Sequence, residues 1–189
     1  MKRIAVFASG TGTNFDAIVK AIEDEKLKAS VECLVVDHLD VPVIKKAKEK
    51  QIYTFAFDPK SYANKSEYEK EIVSLLDEKK IDLVVLAGYM RLCGETLLNA
   101  YEGRIINIHP SLLPAFKGKD AIGQAIAYGV KVMGVSIHYV DSGMDSGKII
   151  AQEAFPVDPK WSHEEIEAKV HSIEHILYPK TIQKLLEVK

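Results

Sequence analysis

The run Ile81-Asp82-Leu83-Val84-Val85-Leu86-Ala87 is almost continuously apolar, and it limits the fold more than any other stretch of the chain. A strand carrying apolar side chains on both faces must be covered on both faces, which is the habit of parallel sheets flanked by helices. The surrounding sequence supplies such helices. Ile4 to Ala8 reads as a first strand, followed by a glycine turn and by Phe15, Ile18, Val19 and Ile22 at helical spacing. Val31 to Val36 predicts a second strand, Val41 to Lys50 a helix, Tyr53 to Phe57 a third strand, and Tyr62 to Lys80 a long helix. Strands alternating with helices in this way imply an α/β fold with a doubly wound, mostly parallel, Rossmann-like sheet and right-handed crossovers. Beyond a strand at Ile105 to His109, Asp120 to Tyr128 reads as a helix, and Val132 to Val140 with Lys148 to Phe155 as an antiparallel pair. Glu164 to Glu187 is the closing helix, with a break expected near Pro179.

Neither an internal repeat nor a linker interrupts this pattern, so residues 1–189 are expected to form a single domain. Lys and Arg number 25 against 27 Asp and Glu, which leaves no excess positive charge to attract nucleic acid or acidic lipid. Cys33 and Cys93 lie far apart without any CxxC spacing, so neither a disulfide framework nor a thiolate metal knot is expected. The apolar stretch after Met1-Lys2-Arg3 is too short for a signal peptide and runs directly into glycines. No run reaches the roughly 18 to 20 apolar residues that span a bilayer, and the expected location is cytoplasmic.

Two local patterns carry chemistry. In Ser9-Gly10-Thr11-Gly12-Thr13-Asn14 the glycines let the backbone turn tightly off the first strand. The helix that follows offers free N–H groups and the positive end of its dipole to an anion. A dinucleotide fingerprint wants a third glycine where Phe15 stands, although Asp37 imitates the ribose-binding acid, and no Walker lysine is present. A single phosphate fits better than a pyrophosphate. The same residues also suit a plain capping box, with Thr13 as N-cap and Asp16 reaching back.

The second pattern is Ile105-Ile106-Asn107-Ile108-His109-Pro110, in which two polar residues share one strand face while Ile106 and Ile108 pack behind. Pro110 ends the strand with His109 at its tip, where open α/β sheets place their ligands. Downstream, Asp141-Ser142-Gly143-Met144-Asp145-Ser146-Gly147 is ordinary turn chemistry for either aspartate taken alone. Together, an Asn, a His and a loop carboxylate make an acyl-transfer site: an amide for the oxyanion, an imidazolium to give a proton, and an acid to hold that imidazolium. His171-Ser172-Ile173-Glu174-His175 matches the H-x-x-E-H zinc pattern, but no third ligand is evident and no metal is expected. His38 and His163 sit in polar loops and read as solvated, whereas His138 on a strand reads as a hydrogen-bonded core residue or a neighbour of the site.

With ASGTGTN, LVVLAGYMRL, INIHPSLLPAFKG, HYVDSGMDSG and EHILYP in this order, the chain resembles the phosphoribosylglycinamide formyltransferases, folate-dependent enzymes of purine synthesis. The resemblance covers essentially the whole chain. It implies formyl transfer from 10-formyltetrahydrofolate, as co-substrate, to the amine of 5'-phosphoribosylglycinamide on the route to IMP. It also implies a tetrahedral intermediate stabilised by Asn107 and protonated His109, with Asp145 raising the His109 pKa. Carried over by position, Gly12, Thr13 and Asn14 hold the ribonucleotide phosphate, and His171 and Glu174 reach the same substrate. The folate lies along Met90, Arg91, Leu92 and Cys93, with Lys65, Asn107, Val140 and Asp141 also in contact. The chain departs from the common family pattern at Thr13, where Ser is usual, and at Lys117 and Lys148, where Pro is common. Small molecules are the expected partners, and a homodimer is left open.

Two relatives by chemistry, one binding module and one motif look-alike compete with this reading. A formyltetrahydrofolate hydrolase resembles it with an added N-terminal domain, whereas here the first strand begins at once. A methionyl-tRNA formyltransferase needs a further C-terminal domain and a basic face for RNA. A non-catalytic nucleotide-binding module leaves Asn107, His109 and Asp145 idle, and a zinc hydrolase rests on the H-x-x-E-H alone.

Overall fold

Residues Leu83 to Leu86 are all buried, and they face opposite ways: Leu83 and Val85 enter one apolar layer, Val84 and Leu86 the other. That two-sided burial organises the molecule. The computed structural model describes residues 1–187. Among these the strands are β1 (Lys2–Ala8), β2 (Ala29–Val36), β3 (Thr54–Ala56), β4 (Leu83–Leu86), β5 (Ile105–His109), β6 (Val132–Tyr139) and β7 (Ile149–Pro156). The helices are α1 (Thr13–Glu23), α2 (Pro42–Glu49), α3 (Lys65–Glu78), α4 (Glu95–Ala100), α5 (Ala121–Tyr128) and α6 (His163–Glu187). The strands form one sheet in the order β3-β2-β1-β4-β5-β6-β7. Strands β1 to β5 pair in parallel, while β6 runs antiparallel to β5 and β7 antiparallel to β6. The doubly wound sheet and its antiparallel end are therefore as expected.

One face is covered by α1, α2, α5 and α6 through Phe15, Ile18, Val43, Ile122, Val170 and Tyr178, among others. The other is covered by α3 and α4 through Tyr68, Ile72, Leu76 and Leu97. The strand order reverses between β1 and β4, so the loops leaving these two strands diverge and open a crevice at their C-terminal ends. Tyr178 of α6 fixes the roof of this region: its buried hydroxyl donates to the carbonyl oxygens of Leu86 (2.8 Å) and Ile106 (3.3 Å).

Three local expectations need correction. Thr13 is not the N-cap of α1: the helix begins at Thr13, Gly12 occupies the cap in the left-handed region (φ 73°), and no side chain caps it. Asp16 does not reach back but pairs with Lys46 of α2. Pro179 does not break α6, which continues through it to Glu187. The packing of Ile173, Leu177, Tyr178 and Ile182 on the core outweighs the one hydrogen bond a proline removes. The long helix predicted from Tyr62 starts later, at Lys65, where the Asn64 side chain accepts the Glu67 N–H (3.1 Å). Helix α4 has no counterpart in the sequence reading. It is short, and its N-terminal donors are satisfied from a distance, Gly94 N–H (2.6 Å) and Leu97 N–H (3.3 Å) donating to the buried carboxylate of Glu69.

Candidate active site

The crevice at the switch point is a cleft of about 730 Å³. Its walls are the loops after β1, β4 and β5, the 143–145 segment and one side of α6. The Gly12 to Asn14 turn lines it with His171 and Glu174, and so do Met90 to Cys93, whose Met90 N–H donates to Ser9 Oγ (2.9 Å). Asn107, His109 and Asp145 also line it, residues 107 and 109 projecting from the same face of β5 as the pleat requires.

Two of the three polar groups meet. His109 Nδ1 lies 3.4 Å from Asp145 Oδ2, with the ring almost wholly buried. Nε2–H of the same ring donates to the carbonyl oxygen of Phe116 (2.8 Å). Because a carbonyl only accepts, that bond fixes Nε2 as a protonated nitrogen and leaves Nδ1 as the one facing the carboxylate and the cleft. Phe116 is held in turn by its loop: Ser111 Oγ donates to Ala115 O (2.6 Å), and Ser136 Oγ donates to Ser111 O (2.7 Å) while accepting from Leu113 N–H (3.0 Å).

Asp145 adopts the left-handed region (φ 49°), which aspartate enters more readily than most side chains. Gly118 N–H donates to its Oδ2 at 2.8 Å, and His138 Nε2 stands 3.7 Å from its Oδ1. Burial alone raises a carboxyl pKa, but His138, the Gly118 N–H and His109 together outweigh it and hold Asp145 below its ordinary value. The carboxylate is thus kept as an anion beside a histidine ring.

At the glycine turn, Gly12 leads the chain into α1, whose start lines the cleft without a side-chain cap, and a Cβ at Gly12 would collide with the Val43 side chain. Asn14 Nδ2 donates to Glu174 Oε2 (3.2 Å), which also receives His171 Nδ1 (2.8 Å). The hydrogen bond to Glu174 raises the His171 pKa against the opposing effect of burial. Residues of the H-x-x-E-H pattern are therefore tied to α1, with the His171 and His175 rings stacked at 6.2 Å. Among the described residues no group of three His, Cys, Asp or Glu is arranged to hold a metal ion.

Most of the expected folate residues line the cleft: Met90, Arg91, Leu92, Cys93, Asn107 and Val140. The Met90 side chain is exposed, and Arg91 Nε donates to buried Asp37 (2.9 Å), so Asp37 orients an arginine. Burial pushes the Cys93 thiol up to about 12, which makes it a wall residue without nucleophilic character. Lys65 and Asp141 stand outside the cleft lining. Lys65 Nζ donates to Leu92 O (2.9 Å), and Asp141 accepts from Gly143 N–H (2.9 Å) and Ser146 Oγ (2.7 Å), shaping the loop that carries Asp145.

A formyl transferase family model matches residues 2–182. The chain belongs to the formyl transferase family. It is 53% identical over 186 residues to the phosphoribosylglycinamide formyltransferase of Bacillus subtilis, covering 98% of this chain and 95% of the relative. The human trifunctional purine biosynthetic protein adenosine-3 is 36% identical over 181 residues, 96% of this chain but only 18% of that protein. Among solved structures, glycinamide ribonucleotide transformylase 1 from Geobacillus kaustophilus superposes with a TM-score of 0.96 at 53% identity, covering 98% of this chain and 99% of its own. The phosphoribosylglycinamide formyltransferase from Bacillus halodurans gives a TM-score of 0.95 at 53% identity, with 99% and 96% covered. Formyl transferases are thus similar to this chain across the region that holds every residue of the cleft.

The sequence reading singled out Asn107, His109 and Asp145 together; the fold sets His109 3.4 Å from Asp145, pairs Asn107 with His138, and lines one cleft with all of them. It did not foresee the Phe116 carbonyl or the Gly118 N–H, which act through backbone groups that residue types do not announce, nor Ser136, whose hydroxyl ties Ser111 to Leu113.

Proposed function

We propose that this chain is a phosphoribosylglycinamide formyltransferase, with residues 1–189 as one catalytic domain. It transfers the formyl group of 10-formyltetrahydrofolate to the amine of 5'-phosphoribosylglycinamide. The observation that carries the reading is His109 held between the Phe116 carbonyl and the Asp145 carboxylate, in a cleft that Asn107, the glycine turn and Met90 to Cys93 also line. The close relatives named for this reaction support it.

The chemistry follows from that geometry. The backbone N–H groups at Gly12 to Asn14 receive the nucleotide phosphate, and the pterin and benzoyl parts of the folate lie along Met90 to Cys93. The substrate amine then attacks the formyl carbon, and the carbonyl π electrons move to oxygen. Asn107 Nδ2–H and His109 Nδ1–H donate to the resulting oxyanion. The C–N10 bond breaks as His109 gives its Nδ1 proton to N10, and the ring recovers a proton from the attacking nitrogen. Asp145 stabilises the imidazolium throughout, and the Phe116 carbonyl keeps the ring from turning away. The reaction requires no metal, and the buried free thiols of Cys33 and Cys93 suit a reducing cytoplasm.

One assay tests the proposal. Protein is mixed with glycinamide ribonucleotide and 10-formyltetrahydrofolate, with and without chelator, and both products are followed. Formylated nucleotide and tetrahydrofolate should appear in equal amounts, unaffected by chelator. Folate release without nucleotide would instead identify a hydrolase, and loss of activity with chelator a metal enzyme.

A further inference from the structure

Asn107 can serve as an oxyanion donor only if its amide presents N–H, and not C=O, to the substrate. A side-chain amide has two nearly isosteric orientations, so something must choose between them. Its cross-strand partner is His138, paired with Asn107 in the register of β5 and β6, and directly opposite residues in an antiparallel pair project to the same face. His138 is buried and its Nδ1 lies 2.8 Å from the Tyr139 carbonyl oxygen. A carbonyl accepts only, so Nδ1 carries a proton, and in the neutral ring Nε2 is then a bare acceptor. That bare nitrogen lies 3.2 Å from Asn107 Nδ2, while Asp145 Oδ1 at 3.7 Å is beyond hydrogen-bond reach. For the neutral ring these assignments have one consistent solution, whereas a doubly protonated His138 would turn Nε2–H to Asp145 and free the amide. With the ring neutral, one amide hydrogen of Asn107 points to His138 Nε2, and the second is left for the cleft.

We propose that His138 is a positioning residue for the formyl-transfer step: its Nδ1–H tautomer locks the Asn107 amide with a hydrogen aimed at the developing oxyanion. Two backbone features serve the lock. The β6–β7 register shifts between Ile137 and His138, the kind of irregularity that re-aims a side chain beside a site. Gly147 passes so close to the Tyr139 carbonyl that a Cβ would collide with it, so the loop carrying Asp145 closes over the oxygen that selects the tautomer. The lock acts in the transition state and not in substrate binding, because the hydrogen it aims has its partner only when charge develops on oxygen. The inference rests on Asn107 being the oxyanion donor.

The test uses the full-length enzyme with both substrates. His138→Leu removes the acceptor, and His138→Gln returns a carbonyl oxygen to the region of Nε2. In His138→Leu, kcat should fall about 10-fold to 100-fold, less than or equal to the loss from removing the amide itself, with both KM values within about threefold of wild type. His138→Gln should recover most of that loss. In an Asn107→Ala background His138→Leu should change kcat little, because its target is gone. Independently of activity, the ring nitrogen shifts of His138 in the wild-type protein should show Nδ1 protonated and Nε2 bare. Overturning results are an unchanged kcat in His138→Leu, additive losses in the double variant, no recovery with glutamine, or a His138 ring protonated at Nε2. If Asn107→Ala itself retained wild-type kcat, the assignment of Asn107 would fall first, and that outcome is separate from the others.

Discussion

Asn107, His109 and Asp145 owe their chemistry to what holds them as much as to what they are. A lone asparagine on a strand hydrogen-bonds to whatever is near, and a histidine ring flips; here the Phe116 carbonyl and the Asp145 carboxylate bracket one ring at 2.8 Å and 3.4 Å. Asn107→Ala is expected to lower kcat by about 10²-fold or more, with smaller effects on either KM, as steady-state kinetics with both substrates will show. Asp145→Asn keeps the volume and removes the charge, and kcat is expected to fall about 10²-fold or more. The pH dependence of Asp145 has a definite sign. Its pKa is lowered in the folded protein, so the stability it contributes is full above the ordinary value of 3.8 and is lost only as pH falls through the lower folded value. Urea melts of wild type and Asp145→Asn should therefore differ by a constant amount from pH 7 to 5 and converge in stronger acid. At this scale the sequence was informative where residue type implies chemistry, as with the i, i+2 pair on β5. It was silent where a backbone group does the work, because Phe116 enters the site through its carbonyl oxygen and Gly118 through its N–H.

Elements position these residues by their ends. The loop from β1 into α1 is set by Gly12, whose φ of 73° disfavours any side chain and whose Cβ site is filled by Val43 of α2. Gly12→Ala should strain that turn, lower Tm and raise the nucleotide KM well beyond the folate KM. Equal changes in the two KM values would remove the phosphate from this turn. Helix α6 meets the same turn through Glu174, which joins Asn14 and His171. The His171 pKa is raised by that carboxylate, so the stabilisation from the pair is full below the unfolded histidine value of about 6.5 and disappears as pH rises through the folded value. His175 acts in the opposite sense, since burial lowers its pKa and acid costs stability there. Glu174→Gln should separate the two: the Tm difference from wild type is expected to be larger at pH 6 than at pH 8.5. Strands and long helices were legible because apolar spacing is local. Helix α4 was not, since its N-terminus is capped by Glu69 from α3, and Pro179 misled because tertiary packing, not hydrogen bonding, sustains α6 there.

In the whole molecule, two apolar layers share one sheet, and the cleft draws on both. Phe7 of β1 is fully buried in the layer under α3 and α4, where it meets the Tyr89 ring edge-on at 5.3 Å. Phe7→Ala should destabilise the protein by about 3–5 kcal/mol in urea melts and loosen the cleft wall through Tyr89. The alternation of strands and helices made this architecture readable from the outset, whereas the pairing of β5 with the antiparallel β6, which brings His138 to Asn107, rests on contacts between distant residues. Distance along the chain also orders the birth of the site. The bond between Asn14 and Glu174 spans 160 positions, and those from Tyr178 to the Leu86 and Ile106 carbonyls span 92 and 72. On the ribosome, the glycine turn, Asn107, His109 and Asp145 all emerge before α6 does, so the parts of the cleft are made long before the helix that joins them. A message that stalls within α6 therefore releases a sheet whose β4 and β5 carbonyls have no Tyr178 hydroxyl and whose glycine turn has no Glu174 carboxylate.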